Sequence, residues 1–166
     1  MTRCCPERPE IGAVTVAQAF HWFDPERTPS ELHRVLRPGG RVGVIWNMRN
    51  RDVPWVDAVW SITDAVERKA SWRDRGDQRD TVQALRAPWF GPIEHAVFEH
   101  EHLVTPDEMV DRVRSTSHVG ALLPADREAL LDRVRALLAE DPATAGRDQL
   151  VVPYLVDVYW TERLGR

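Results

Sequence analysis

One stretch of this chain leaves few folds open. Residues 13–20, AVTVAQAF, carry no charge and are rich in β-formers, as in a strand buried on both faces of a parallel sheet. A turn follows at His21 to Pro25. A helix is predicted next, with Thr28 as N-cap, Pro29 in the first position and Glu31 three residues after the cap, a capping box with proline where its missing N–H does no harm. Leu32, Val35 and Leu36 make its apolar stripe, and Pro38-Gly39-Gly40 is read as its stop. Arg41 to Trp46, RVGVIW, reads as a second buried strand. Strand, helix and strand within about 35 residues make a βαβ unit, with parallel strands and a right-handed crossover.

The remainder continues in α/β style. Pro54 opens a helix with Trp55, Val59, Ile62 and Val66 on one face. Residues 68–80 are almost wholly charged with both signs mixed, the composition of a solvated loop or helix end. Residues 93–104 read as a strand. Thr105-Pro106-Asp107-Glu108 repeats the capping-box pattern before a short helix carrying Met109, Val110 and Val113. A further helix is predicted from Asp126 to Glu140, with Leu130, Leu131, Val134, Leu137 and Leu138 on one face and Pro142 closing it. The last strand is expected at Gln149 to Thr161, where Val152, Tyr154, Val156, Val158 and Trp160 alternate with the rest. No repeat is visible and the linkers are short. We expect one α/β domain over residues 1–166, with residues 1–12 atypical and 105–148 a helical excursion between the last two strands.

Composition narrows the partners. At 166 residues, 43% hydrophobic and 29% charged, the chain has the size and balance of one soluble globular domain. Twenty-six acids against 22 bases leave a net charge of −4, which argues against electrostatic binding of nucleic acid. No apolar run approaches the roughly 18 residues of a membrane span, and no signal peptide opens the chain. Cys4 and Cys5 are neighbours, so they cannot form an ordinary disulfide and make a poor zinc site. A reducing, cytoplasmic setting is expected. Lys69 is the sole lysine among the 22 bases, which suggests a GC-rich bacterial coding sequence.

Candidate chemistry gathers at strand ends. His21 and Trp22 stand just past the first strand, and ligands of open parallel sheets bind outside the carboxyl ends of strands. An aromatic and an imidazole there suit a purine or a sulfonium; a packed turn is the competing reading. Gln18 is a polar residue in an apolar strand and needs partners. Trp46 and Asn47 end the second strand in the same structural place, as a cleft floor or simply a turn. Gly39, Gly40 and Gly43 lie between helix and strand, the reverse of a phosphate loop, and neither GxGxxG nor GxxxxGK[ST] occurs. His95, His100 and His102, with Glu94, Glu99 and Glu101, read as an exposed polar strand and no metal site is expected. GxSxG is absent and neither cysteine has a base nearby, so hydrolase chemistry has little support.

VTVAQAFHWFD followed by ELHRVLRPGGRVGVIWN resembles the middle of class I S-adenosylmethionine-dependent methyltransferases, in particular a bacterial small-molecule group carrying an AxAFHWFD segment. PWV after the second strand, WF near Trp89, DRVRSTSHVGALLP and the closing VPYLVDVYW are similar too, so the resemblance runs from residue 13 to about 163. It implies an incomplete Rossmann-like sheet, with this chain's strands matching the family's fourth to seventh and the last one pairing antiparallel with the sixth. It also implies S-adenosylmethionine as cofactor, with Gln18, Ala19, Phe20, His21 and Trp22 along its sulfonium and adenine side. Trp46 and Asn47 match positions nearer the acceptor; His118 and Tyr154 match substrate-side positions loosely.

The family's glycine-rich loop and ribose-binding acid belong to its first three strands, and this chain has neither. Residues 1–11 do not look like the family's sequence at that place. The expectation is the back part of a methyltransferase domain, short of two or three βα units or roughly 80–100 residues. The expected function is methyl transfer to a small molecule, with His21 a tentative base. The alternative is a non-catalytic remnant or interaction module, completed by a partner chain or by self-association through the unpaired strand at 13–20.

Overall fold

The computed structural model describes residues 11–67, 78–86 and 88–165. Cys4, Cys5 and most of the charged run at 68–80 lie outside them. The elements follow the order β1 (Ile11–Ala17), a 3-10 turn (Phe20–Trp22), α1 (Thr28–Val35), β2 (Leu36–Arg49), α2 (Pro54–Glu67) and α3 (Gln78–Val82). Then come β3 (Glu94–Val104), α4 (Pro106–Arg114), α5 (Ser117–Gly120), α6 (Pro124–Glu140) and β4 (Leu150–Glu162). The strands form one sheet in the order β1-β2-β4-β3. β1 and β2 are parallel, with Val14 opposite Val42 and Val16 opposite Val44. Backbone bonds from Arg163 N to Gly40 O and from Asn50 N to Pro153 O set β4 antiparallel to β2. Opposite Phe90, Arg163 forms an antiparallel bridge. This is the α/β arrangement expected, with the last strand lying beside β3.

Two local expectations are corrected. The capping box predicted at Thr28 and Glu31 does not form: α1 has Arg27 as N-cap and no side-chain cap bond. The Asp24 carboxylate instead accepts from the N–H groups of Glu26 and Arg27, and Glu31 is held by Arg34 at 2.6 Å. Nor does the glycine pair stop the helix. α1 ends at Val35, and Pro38-Gly39-Gly40 lies inside β2, where the register slips so that Ile11 faces Leu36 but Ala13 faces Arg41. Gly39 takes φ +72° in this bulge, and a Cβ on Gly40 would stand 2.8 Å from Arg37 O and 3.2 Å from Gly12 O. The dipeptide serves the strand crossing, where bare backbone is required.

The chain divides into two compact units. Among the described residues the first holds 11–47, 78–86, 88–98 and 156–165, and the second holds 48–67 and 99–155. Each has its own apolar core. The first gathers Phe20, Leu36, Val42, Trp46, Phe90 and Tyr159; the second gathers Trp60, Met109, Val113, Leu131, Val134 and Val152. The capping box predicted at Thr105 and Glu108 is present in full, and the leucine face of α6 is buried as the spacing predicts.

β4 does not keep a single alternation. Leu150, Val152 and Tyr154 are buried in the second unit, whereas Tyr159 and Thr161 are buried in the first. The parity changes across residues 155–158, where each length of strand answers to its own core.

Candidate functional site at the end of the first strand

The first unit places most of the expected site residues on the loop that leaves β1. Gln18 has φ +55°, a left-handed conformation that turns the chain sharply out of the strand. Its backbone N–H still bonds Ile45 O at 2.9 Å, and its side-chain amide donates to Asn47 O at 3.0 Å. The polar residue in the apolar strand thus ties the two strand ends together. Ala19 leads into the 3-10 turn, which Trp22 N→Ala19 O and Phe23 N→Phe20 O close. Phe20 points into the core and meets Phe23 edge-on at 5.9 Å. The His21 and Trp22 rings lie 5.0 Å apart, tilted at 44°, and Trp22 is 54% exposed.

A cleft of about 590 Å³ opens beside this turn, walled by Phe20, His21, Phe23, Asp24, Thr28 and Thr81. Its size falls in the usual range for small-ligand sites. Three aromatic or imidazole rings line one part, and Asp24, Glu26 and Asp80 lie around it, with no lysine or arginine among the described lining residues. That donor set suits a small ligand bearing positive charge, since ring faces and carboxylates both attract cations.

Trp46 and Asn47 are separated by burial. Asn47 is exposed and contributes its carbonyl to the Gln18 bond. Trp46 is 1% exposed and packs edge-on against Tyr159 at 5.8 Å, so it backs the strand end from within the core. His118, on α5, and Tyr154, on β4, belong to the second unit. The sequence did not point to Asp24 or Thr81. Asp24 had a local signal, an Asp two and three residues ahead of the amides it caps. Thr81 had none, because it reaches the cleft only through the packing of α3 on the 3-10 turn.

On β3, His95 is paired with Asp157 at 2.6 Å and stacked on Tyr159 at 4.2 Å. Among the described residues no group of three or more His, Cys, Asp or Glu is placed to hold a metal ion, and no helix is long and apolar enough to cross a membrane.

Strand order, the parallel β1–β2 pair and a ligand-sized cleft at the carboxyl end of β1 give part of a Rossmann-like α/β sheet. A profile of the methyltransferase domain matches residues 7–44. An uncharacterized methyltransferase of Mycobacterium tuberculosis is 40% identical over 145 residues, 87% of this chain and 56% of that protein. An uncharacterized methyltransferase-like protein of Schizosaccharomyces pombe is 26% identical over 161 residues, 95% of this chain and 60% of its own. A solved structure from Anaeromyxobacter dehalogenans, of a protein proposed to be a type II methyltransferase, superposes with TM-score 0.50 at 24% identity, covering 96% of this chain and 66% of that one. Over most of its length the chain is similar in sequence to proteins of the methyltransferase family. It spans about half the length of the mycobacterial relatives it matches.

Proposed function

We propose that this chain is part of an S-adenosylmethionine-dependent methyltransferase acting on a small molecule in the bacterial cytoplasm. The observation that carries the reading is the cleft at the end of β1, walled by Phe20, His21 and Phe23 of the AFHWFD segment that resembles the family's cofactor wall. The chemistry of its lining fits the cofactor, which carries both a sulfonium and an ammonium group and supplies a methyl group activated for transfer. Phe20, His21 and Trp22 offer ring faces to the sulfonium and adenine side, while Asp24 and Glu26 offer carboxylate to the ammonium. Gln18 and Ala19 act through the backbone turn that aims this segment. Asn47 and Trp46 stand at the neighbouring strand end, and His118 and Tyr154 are the acceptor-side positions of the second unit. His21 is the group able to take a proton from an acceptor hydroxyl near neutral pH. Methyl transfer asks mainly for alignment and exclusion of water.

The test is a calorimetric titration of S-adenosylmethionine into the chain and into its Phe23→Ala variant, whose half-exposed ring lines the cleft. Saturable binding in the parent that weakens at least several-fold in the variant supports the assignment. Equal binding in both, or none in the parent at millimolar cofactor, overturns it. Replacing the residue matching His21 by Ala in the longer mycobacterial relative tests the base role, which unchanged turnover would remove.

A second reading is favoured by one feature. β1 is an edge of the sheet, uncharged and free of proline from Ile11 to Ala17. Because Gln18 N bonds β2 and groups alternate along a strand, the N–H and C=O groups of Ile11, Ala13, Thr15 and Ala17 are directed away from β2. Such an edge accepts another strand, and a second copy of this uncharged segment would supply one.

A further inference from the structure

In the second unit, α4 and the ends of β3 and β4 bring together Arg112, His102, His100 and Tyr154. Arg112 directs Nη1 at the Tyr154 hydroxyl oxygen and Nη2 at Nδ1 of His102. A guanidinium has donors only, so both partners must accept. His102 is then the tautomer with its hydrogen on Nε2, and the Tyr154 hydroxyl hydrogen is directed elsewhere than Arg112. The His100 ring stacks beside Tyr154 at 6.0 Å and beside His102 at 6.5 Å, since residues two apart share a strand face. The hydrogens left over are those of the phenol, His102 Nε2 and the remaining guanidinium N–H groups, with the Glu108 carboxylate close enough to feel both His102 and Arg112.

The charge of Arg112 is bound differently from that of its neighbours. Arg34, Arg51, Arg114 and Arg135 each hold a carboxylate, whereas the hydrogen bonds of Arg112 go to two neutral acceptors. Glu108, the acid one turn before it, is turned to the start of α4, where it accepts from Thr105 N at 2.7 Å. Tyr154 is 6% exposed, so its hydroxyl is held by packing.

We propose that Arg112, His102 and Tyr154, with His100 alongside, form a binding site for an oxyanion, the carboxylate or phosphate group of a small molecule. A ligand that only accepts hydrogen bonds complements these donors, and a planar guanidinium suits the paired oxygens of either group. None of its residues lines the cleft beside β1, although Tyr154 is shared with the acceptor side of the proposed function; cofactor binding at the cleft and anion binding here are read by separate titrations.

The experiment follows the imidazole resonances of the full chain during separate titrations with inorganic phosphate and malonate, ionic strength being held constant with sodium chloride. Saturable shifts of His100 and His102, with His95 unmoved, are expected. Response to phosphate alone assigns a phosphate group, and response to malonate a carboxylate; either supports the site. Arg112→Gln should abolish saturation, and Tyr154→Phe, which keeps the ring stack, should weaken binding by about tenfold. The proposal is overturned if neither anion gives saturable shifts in the parent, or if Tyr154→Phe and a folded Arg112→Gln variant both respond like the parent.

Discussion

Gln18 donates from its side-chain amide to the carbonyl of Asn47 at 3.0 Å while its own backbone sits at φ +55°. One residue therefore turns the chain out of β1 and ties that turn to the end of β2, which holds the aromatic segment Phe20–Trp22 beside the cleft. Gln18→Ala loses the bond and keeps the strained backbone, with an expected cost of about 1–2 kcal/mol. Gln18→Gly loses the same bond but relieves the backbone, so it should cost about 1 kcal/mol less than the alanine variant. Urea midpoints of the two variants, read against the parent, check the order.

Gly40 is closed in by Arg37 O, Leu36 Cδ2 and Gly12 O at 2.8, 3.1 and 3.2 Å from where a Cβ would stand. Two of the three are backbone atoms and cannot rotate away. Gly40→Ala should destabilise by about 1–3 kcal/mol. At Gly146, whose Cβ would meet nothing within 4 Å, the same change should cost only the left-handed backbone term, about 1 kcal/mol. Thermal unfolding of the pair separates crowding from conformation.

The capping box of α4 carries a pH dependence. The Glu108 carboxyl is held below its ordinary value, first by the hydrogen bond from Thr105 N and then by the Thr105 side chain. A carboxyl depressed in the folded state stabilises it above the unfolded value near 4.3, and that contribution fades as pH falls through the lower folded value. Glu108→Gln should flatten the acid limb of the stability profile below about pH 4.5. Thr105→Ala removes the cap acceptor and should cost about 1 kcal/mol at neutral pH. Denaturant titrations between pH 3 and 7 (a range set by the ordinary carboxyl value) read both.

The exposed edge at β1 predicts association. The parent should sediment with a concentration-dependent increase in mass, and Thr15→Lys, a charge on the exposed edge, should shift it toward monomer. A parent that stays monomeric at every concentration would remove the second reading.

Periodicity and capping made much of the fold legible. The strands expected at 13–20 and 41–46 and the helix between them are present nearly as spaced, but the first is not buried on both faces: β1 is an edge on which only Val16 is buried. Thr105 and Glu108 form their box because both bonds lie within one helical turn. Thr28 and Glu31 have the same spelling and do not, because Thr28 N bonds the backbone carbonyl of Asp24, Glu31 N bonds that of Arg27, and Arg34 takes the Glu31 carboxylate. Along β4 the even-numbered residues were expected to be buried throughout. They are so as far as Tyr154, beyond which Tyr159 and Thr161 take over, since a strand's buried parity is set by the core it meets.

For the site, the residue types and their place at a strand end could be read from AQAFHWFD alone, since strand ends and turns are local. The sequence by itself determined a parallel βαβ unit with aromatic and polar residues beyond its first strand, and a family likeness in those residues. Only the tertiary structure decided that Trp46 is core while Trp22 is open, that Thr81 reaches the cleft, and that Arg112 finds Tyr154 and His102. Those contacts join residues 10 to more than 40 positions apart, and no local propensity encodes which distant side chain will be packed against which.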